Sequence, residues 1–261
     1  LSENIRPDTV LVAAMWANNE TGVIHPIQKI GEVCGRKGTL LFSDATQAAG
    51  KIDCDVRDAG VQLMAMSGHK VYGPKGVGAL YISSSAPRVK LSPILHGGGH
   101  EGGFRSGTLN VPGIVGLGAA LSLSYDLGSR EAARLGQLRD KLEDGLLDIE
   151  GAKVSGYGPM RMTHVTNIQF PYVDGEALMA ALQTDLAVAS GSACTSADPD
   201  PSHVLRAMGL TRDQAKWSIR FSLGRNTRSE EVDGAIRLVK GAVERLRADS
   251  PGWKLYEKGL I

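Results

Sequence analysis

The chain has 261 residues, 42% of them hydrophobic, and its 29 basic and 28 acidic residues leave a formal charge of +1. That length can bury one large core or two smaller ones, and the near-neutral balance gives no reason to expect a nucleic-acid or membrane partner. Cys34, Cys54 and Cys194 form no CxxC pattern, which argues against a disulfide framework and for a reducing cytoplasm. No apolar run reaches the roughly 18 residues of a spanning helix, and no signal-peptide pattern opens the chain.

The first predicted strand covers residues 10–15 and leads to Asn18, Asn19, Glu20, Thr21 and Gly22. Residues 26–34 read as a helix with Ile27, Ile30, Val33 and Cys34 on one face, and Gly38 as its stop. A short buried strand at 39–43 delivers Asp44, Thr46 and Gln47 at its C-terminal end, where open α/β sheets bind ligands. Strand, helix, strand in that order argues for parallel pairing. Two more apolar runs, 61–66 and 77–82, enclose Ser67, Gly68, His69 and Lys70 in a glycine-punctuated turn. A lone loop lysine is ordinarily a solvated charge, and Asp44 by itself could be only a helix N-cap. Together they suit imine chemistry on a ring whose nitrogen the carboxylate keeps protonated.

Residues 96–108 hold six glycines. His96 and His100 have the i, i+4 spacing of a metal pair, but such glycine content forbids the helix that would bring them together. Composition alone fits a linker, whereas glycine backbone with Arg105, Ser106 and Thr108 suits an anion such as phosphate. Beyond about residue 128 the rhythm changes, with Ser129 as the cap of a helix carrying Leu135, Leu138, Leu142 and Leu146 on one stripe. Short strands are expected near 165–170, 186–190 and 218–223, and Thr227 with Glu230 makes a capping box for a last helix. Two domains follow, divided near residue 128.

In the run 217–223, Trp217, Ile219, Phe221 and Leu223 alternate with Ser218, Arg220 and Ser222. Arg220 is then either a solvent-facing residue or a planar fork for a carboxylate. Cys194 stands among Ser190, Gly191, Ser192, Thr195 and Ser196, before Pro199 and Pro201. Such neighbours describe an exposed loop, where a thiol can ionise and attack. Cys34, on an apolar helix face, and Cys54 are assigned to structure.

Six blocks now stand in one order: Asn18-Asn19-Glu20-Thr21-Gly22, Asp44-Ala45-Thr46-Gln47, Ser67-Gly68-His69-Lys70, the loop 97–108, Ser190-Gly191-Ser192-Ala193-Cys194 and Ser218-Ile219-Arg220-Phe221-Ser222. In order and spacing they resemble the cysteine desulfurases of the NifS/IscS type, members of the class-V aminotransferase family. The resemblance implies the α/β architecture of pyridoxal 5'-phosphate (PLP) enzymes of fold type I. Residues 1–128 would be the C-terminal portion of the large PLP-binding domain, with a mainly parallel sheet. Residues 129–261 would be a smaller α+β domain carrying the cysteine loop. By the same resemblance Lys70 is the Schiff-base lysine, Asp44 the pyridinium partner, and Asn19 and Gln47 the contacts to the ring oxygen. Ser67 and His69 resemble phosphate ligands, and Thr108 resembles the residue that reaches the phosphate of the neighbouring subunit in a homodimer. Arg220, with Asn19, resembles the substrate-binding pair for L-cysteine, and Cys194 the residue that takes up sulfur as a persulfide. No resident metal is implied, although Cys194 could meet a transient iron–sulfur cluster.

The implied reaction turns L-cysteine into L-alanine and passes sulfur to an acceptor such as an iron–sulfur scaffold protein. The chain opens at Leu1 in what resembles the middle of the large domain. The family's N-terminal third is therefore expected to be missing, or to come from a separate chain, and the C-terminal tail toward partner proteins is expected to be absent too. Two other readings share part of the pattern. A selenocysteine lyase or another fold-type-I lyase needs Lys70 and Asp44 but not Cys194. A truncated binding or scaffold remnant needs none of them, yet Lys70, Asp44, Gln47, Cys194 and Arg220 are all intact, and relaxed sites tend to lose costly polar residues first.

Overall fold

The computed structural model describes residues 1–85, 87–156, 158, 160–190 and 201–260. Its backbone divides into two units, one of Leu1–Ala17 with Ile24–Gly128 and the other of Asn18–Val23 with Ser129–Ile261.

In the first unit the apolar runs become β1 (Leu11–Met15), β2 (Leu40–Asp44), β3 (Leu63–Ser67) and β4 (Gly78–Ile82), in that order across one sheet. The first two pairings are parallel and the last is antiparallel. Parallel neighbours need a crossover. Between β1 and β2 it is helix α1 (Ile27–Lys37), which buries Ile27 and Cys34 and packs on β2. Gly38, left-handed at φ 67°, ends that helix, and its N–H reaches the Cys34 and Gly35 carbonyls. The link from β3 to β4 is a tight turn with no crossover helix, so β4 must return antiparallel. A Cβ at Gly78 would lie 2.5 Å from the Met66 carbonyl oxygen, so the return beside Ser67 requires glycine.

Helix α2 (Val111–Leu147) contradicts the expected start at Ser129. Asn110 Oδ1 accepts the Gly113 N–H at 3.2 Å, and Pro112 occupies the first turn, where its missing N–H costs nothing. The run from Leu117 onward is broken only by glycines, which lower helix propensity without ending a helix. The expectation that no apolar run is long enough to span a membrane is corrected as well. By length and composition α2 is, with mean hydropathy 1.2 over its apolar window and 17% of that window buried. Glycine, serine and alanine interleave its larger apolar residues, so no unbroken run appears in the sequence. Val111, Ile114, Val115, Leu123 and Tyr125 of its first half are exposed.

The second unit is an antiparallel sheet of β5 (Lys153–Val154), β6 (Val165–Gln169) and β7 (Ser218–Ser222). Its helices are the second half of α2, α3 (Gly175–Leu182), α4 (His203–Ala207), α5 (Arg212–Lys216), α6 (Ser229–Asp249) and α7 (Pro251–Glu257). The stripe Leu135, Leu138, Leu142 and Leu146 is buried as its spacing predicts, in one cluster with Ile168, Phe170, Leu178, Ile219, Phe221, Val232 and Val239. The strand expected at 186–190 amounts to a single bridge between Ala189 and Arg220. The capping box before α6 is one residue later than expected. Arg228 N–H donates to Glu231 at 2.8 Å, while Thr227 Oγ1 accepts the Gly224 N–H at 2.9 Å to close the preceding turn.

A buried ion pair braces this unit. Arg161 donates through both terminal nitrogens to the two oxygens of Glu143, at 2.8 and 2.9 Å, with both side chains 6% exposed. Arg139 lies beside the same carboxylate at 3.9 Å and donates to the Met162 carbonyl.

Candidate active site

In the first unit the three parallel strands run the same way, so their C-terminal ends share one edge of the sheet. Met15 and Asp44 stand in register there, and Ser67 ends β3 beside them. Asp44 is exposed, and its Oδ1 accepts the Thr46 N–H at 2.8 Å. The turn after it is held by fully buried Ala45 and Ala48, with Ala45 N–H bonded to the Ala65 carbonyl of β3. Small residues let that turn lie close to the sheet, leaving Thr46 and Gln47 half-buried at its rim. Lys70 belongs to a short 3-10 turn, Gly68–Val71, that starts directly after β3. Two bonds close the turn, from Gly68 N–H to the Val77 carbonyl and from Gly73 N–H to the Gly68 carbonyl, each 2.9 Å. Lys70 is half-buried, and no hydrogen bond or ion pair holds its amine among the described residues. Ser67 Oγ and His69 Nδ1 pair at 2.8 Å. The unit therefore gathers Asp44, Gln47, Ser67, His69 and Lys70 at one sheet edge, as their spacing predicts. Thr108 is exposed at the end of the glycine-rich loop, where Arg105 donates to its carbonyl at 3.2 Å.

In the second unit the segment Asn18–Val23 makes a tight turn built on one side chain. Buried Asn18 accepts through Oδ1 from Glu20 N–H and Thr21 N–H, both at 2.9 Å, and from the Thr21 hydroxyl at 3.1 Å. Gly22 takes φ 75° there, and a Cβ on it would meet Val165 Cγ1 at 2.6 Å. The turn presents the Asn19 carbonyl to Arg220, whose Nη1 donates to it at 3.0 Å. Two of the predicted residues, far apart in sequence, are thereby brought together. Arg220 is half-buried, which removes the solvent-facing alternative. A guanidinium held by a backbone carbonyl still has further donors for a carboxylate.

Sequence reasoning missed the work of three residues here. Asn18 shapes the turn, a role signalled only by the Asn-x-x-Thr spacing. Glu20, 1% exposed, accepts a hydrogen bond from Ser202, the N-cap of α4. Asn167, fully buried opposite Arg220, carried no local signal at all. The predicted nucleophile Cys194 lies outside the described residues. Of the other cysteines, Cys34 is buried, and burial together with neighbouring Asp53 pushes the Cys54 thiol up to about 12. At pH 8 the loss of thiolate, partly offset by the greater nucleophilicity of a more basic sulfur, should make Cys54 alkylate on the order of a hundredfold more slowly than an ordinary thiol. Iodoacetamide labelling followed by peptide mass analysis, native against unfolded, checks this. Equal rates in the two states would contradict it.

Residues 1–234 match the model of the aminotransferase class-V family. The chain is 53% identical over 256 residues to the cysteine desulfurase IscS of Haemophilus influenzae (strain PittEE), covering 98% of this chain and 63% of that protein. It is 52% identical over 260 residues to the cysteine desulfurase IscS of Histophilus somni (strain 129Pt), covering 100% of this chain and 64% of that protein. The crystal structure of the NifS-like protein from Rickettsia africae ESF-5 superposes with a TM-score of 0.85 at 30% identity, over 93% of this chain and 64% of that one. The chain thus spans less than two thirds of the length of these relatives.

Proposed function

The chain belongs to the aminotransferase class-V family, and from that membership we propose that the protein carrying it is a PLP-dependent cysteine desulfurase. L-Cysteine and the Cys194 thiol give L-alanine and a Cys194 persulfide, whose outer sulfur passes to an acceptor such as an iron–sulfur scaffold protein. One observation carries the reading: an amine without a bonding partner among the described residues, on the turn after β3, shares a sheet edge with an exposed carboxylate and a Ser67–His69 pair. Enzymes of this family depend on PLP. The donor set fits that cofactor group by group, with a primary amine for its aldehyde, a carboxylate for its ring nitrogen, and a hydroxyl and an imidazole for its phosphate.

When bound, PLP supplies an aldehyde that captures amines and a protonated ring that accepts charge from the substrate Cα. Asp44 would keep the proton on the ring nitrogen, Gln47 and Asn19 would contact the ring oxygen, and Ser67 and His69 would hold the phosphate. Thr108 serves the phosphate of a second copy in a homodimer, and the exposed apolar residues at the start of α2 are suited to that interface. Arg220 with Asn19 takes the substrate carboxylate. The amine of Lys70 moves the Cα proton and later returns one to the product carbon. Cys194, as thiolate, attacks the substrate sulfur. The sulfur–carbon bond breaks, its electron pair stays with the three-carbon product, and alanine leaves after protonation. Residues 1–128 would be the C-terminal portion of the large PLP-binding domain and 129–261 the small domain bearing the cysteine loop. A cytoplasmic location suits thiol chemistry of this kind.

Incubation with L-cysteine followed by amino-acid and peptide mass analysis tests the proposal. Equimolar alanine and a gain of one sulfur atom on the peptide containing Cys194 are expected. Pyruvate in place of alanine, or sulfur on Cys54 instead, would overturn it.

A further inference from the structure

Asn167 is an unusual residue for its place. It lies in the middle of β6, between buried Thr166 and Ile168, is 0% exposed, and finds no hydrogen-bond partner for its carboxamide oxygen or nitrogen among the described residues. Burying an unpaired amide is costly, and an aliphatic side chain of the same size would spare the fold that cost. The register supplies the missing context, since Asn167 stands directly opposite Arg220 on β7.

The backbone hydrogen bonds fix how close the two are. Asn167 turns its carbonyl away from β7, accepting from Ser155 N–H at 2.8 Å. Arg220 turns both of its backbone groups the other way, to Ala189, at 2.7 and 3.2 Å. They therefore form a non-hydrogen-bonded pair of an antiparallel ladder, the kind in which side chains on the same face approach most closely. Arg220 uses Nη1 on the Asn19 carbonyl, while its Nε is buried with no partner among the described residues. An unmatched donor on Arg220 and an unmatched acceptor on Asn167 thus share one face of one sheet.

We propose that Asn167 is a positioning residue for substrate recognition: when an amino-acid carboxylate binds, the Asn167 carboxamide oxygen takes the Arg220 Nε–H left unmatched without it, and with the Asn19 carbonyl it aims the remaining guanidinium N–H groups at that carboxylate. Fully enclosed, Asn167 acts only through Arg220. The inference rests on the proposed function insofar as Arg220 is the carboxylate binder.

Asn167→Leu removes the acceptor while keeping the branching and the number of heavy atoms, and Asn167→Asp keeps an oxygen in place. For Asn167→Leu the KM for L-cysteine should rise roughly ten- to a hundredfold, the change expected for one lost hydrogen bond to a charged group, with kcat within about threefold. Without bound amino acid its melting temperature should stay level or rise, because in that state an unpaired buried amide has gone. Asn167→Asp should keep KM within about threefold of the unaltered protein. A fall in melting temperature with KM unchanged would make Asn167 merely structural, and equal KM values for the two variants would exclude the acceptor role. Protection of Arg220 from phenylglyoxal by L-alanine gives the same comparison without turnover, and the protecting concentration should shift by the same factor in Asn167→Leu. Failure of the desulfurase reading shows separately, as no alanine from the unaltered protein.

Discussion

Replacing Lys70 with alanine should lower alanine formation from L-cysteine by roughly 10²- to 10⁴-fold, the contribution of a positioned proton-transfer group, and should abolish the visible absorbance of protein-bound PLP near neutral pH. The loss is expected to be chemical, because the turn does not depend on this side chain. Backbone bonds from Gly68 to Val77 and from Gly73 to Gly68 hold it, and the amine itself takes no part in them. Alanine is also at ease in a helical turn, so stability should move by no more than about 0.5 kcal/mol. Absorbance and a urea melt on the same sample separate the two effects. Retained absorbance and turnover within about tenfold of the unaltered protein would remove Lys70 from the chemistry and with it the central assignment.

Glu143→Ala should destabilise the second unit by about 3–5 kcal/mol. The carboxylate accepts both terminal nitrogens of Arg161, and the pair is almost fully enclosed. Removing it takes from Arg161, at 6% exposure, the carboxylate that both of its terminal nitrogens reach, and deprives Arg139 of the same neighbour. The net value of the pair is a different quantity, since two charges taken out of water can cost as much as their attraction returns. Joint replacement of Glu143 and Arg161 with leucine should therefore recover most of the loss. Urea unfolding of the single and double variants checks both statements. A single-variant loss under about 1 kcal/mol would mean that water reaches the pair and screens it. Arg161 also bridges Val23, so the single variant should loosen the turn that presents Asn19 to Arg220.

The residues of the first unit's site were legible because their signals are local. An apolar run that ends in Asp44, and another that ends in Ser67 before a glycine-rich turn, state both the strand and what its end presents. The same logic found Gly38 as a helix stop and the leucine stripe of α2. It failed where a local signal had a stronger rival. Ser129 looks like a cap, but Asn110 followed by Pro112 caps the same helix earlier, and nothing between them is unfavourable enough to stop it. The capping box moved from Thr227 and Glu230 to Arg228 and Glu231 because Thr227 was already engaged with Gly224.

Asn167, Glu20 and the Arg161–Glu143 pair belong to another class. Nothing within ten residues of Asn167 tells that it faces Arg220, because cross-strand register depends on how two distant segments align and not on the periodicity of either. What the sequence by itself determined, among the described residues, is the inventory: an amine, a carboxylate and a hydroxyl–imidazole pair at or just after strand ends, and a guanidinium within a strand, each placed there by local hydrophobic period and turn chemistry. Tertiary structure alone decided the pairings, Asn19 with Arg220, Asn167 with Arg220 and Arg161 with Glu143. The physical reason is that a buried polar group gains most from a partner on another segment, and which segment comes within reach is settled when the cores close.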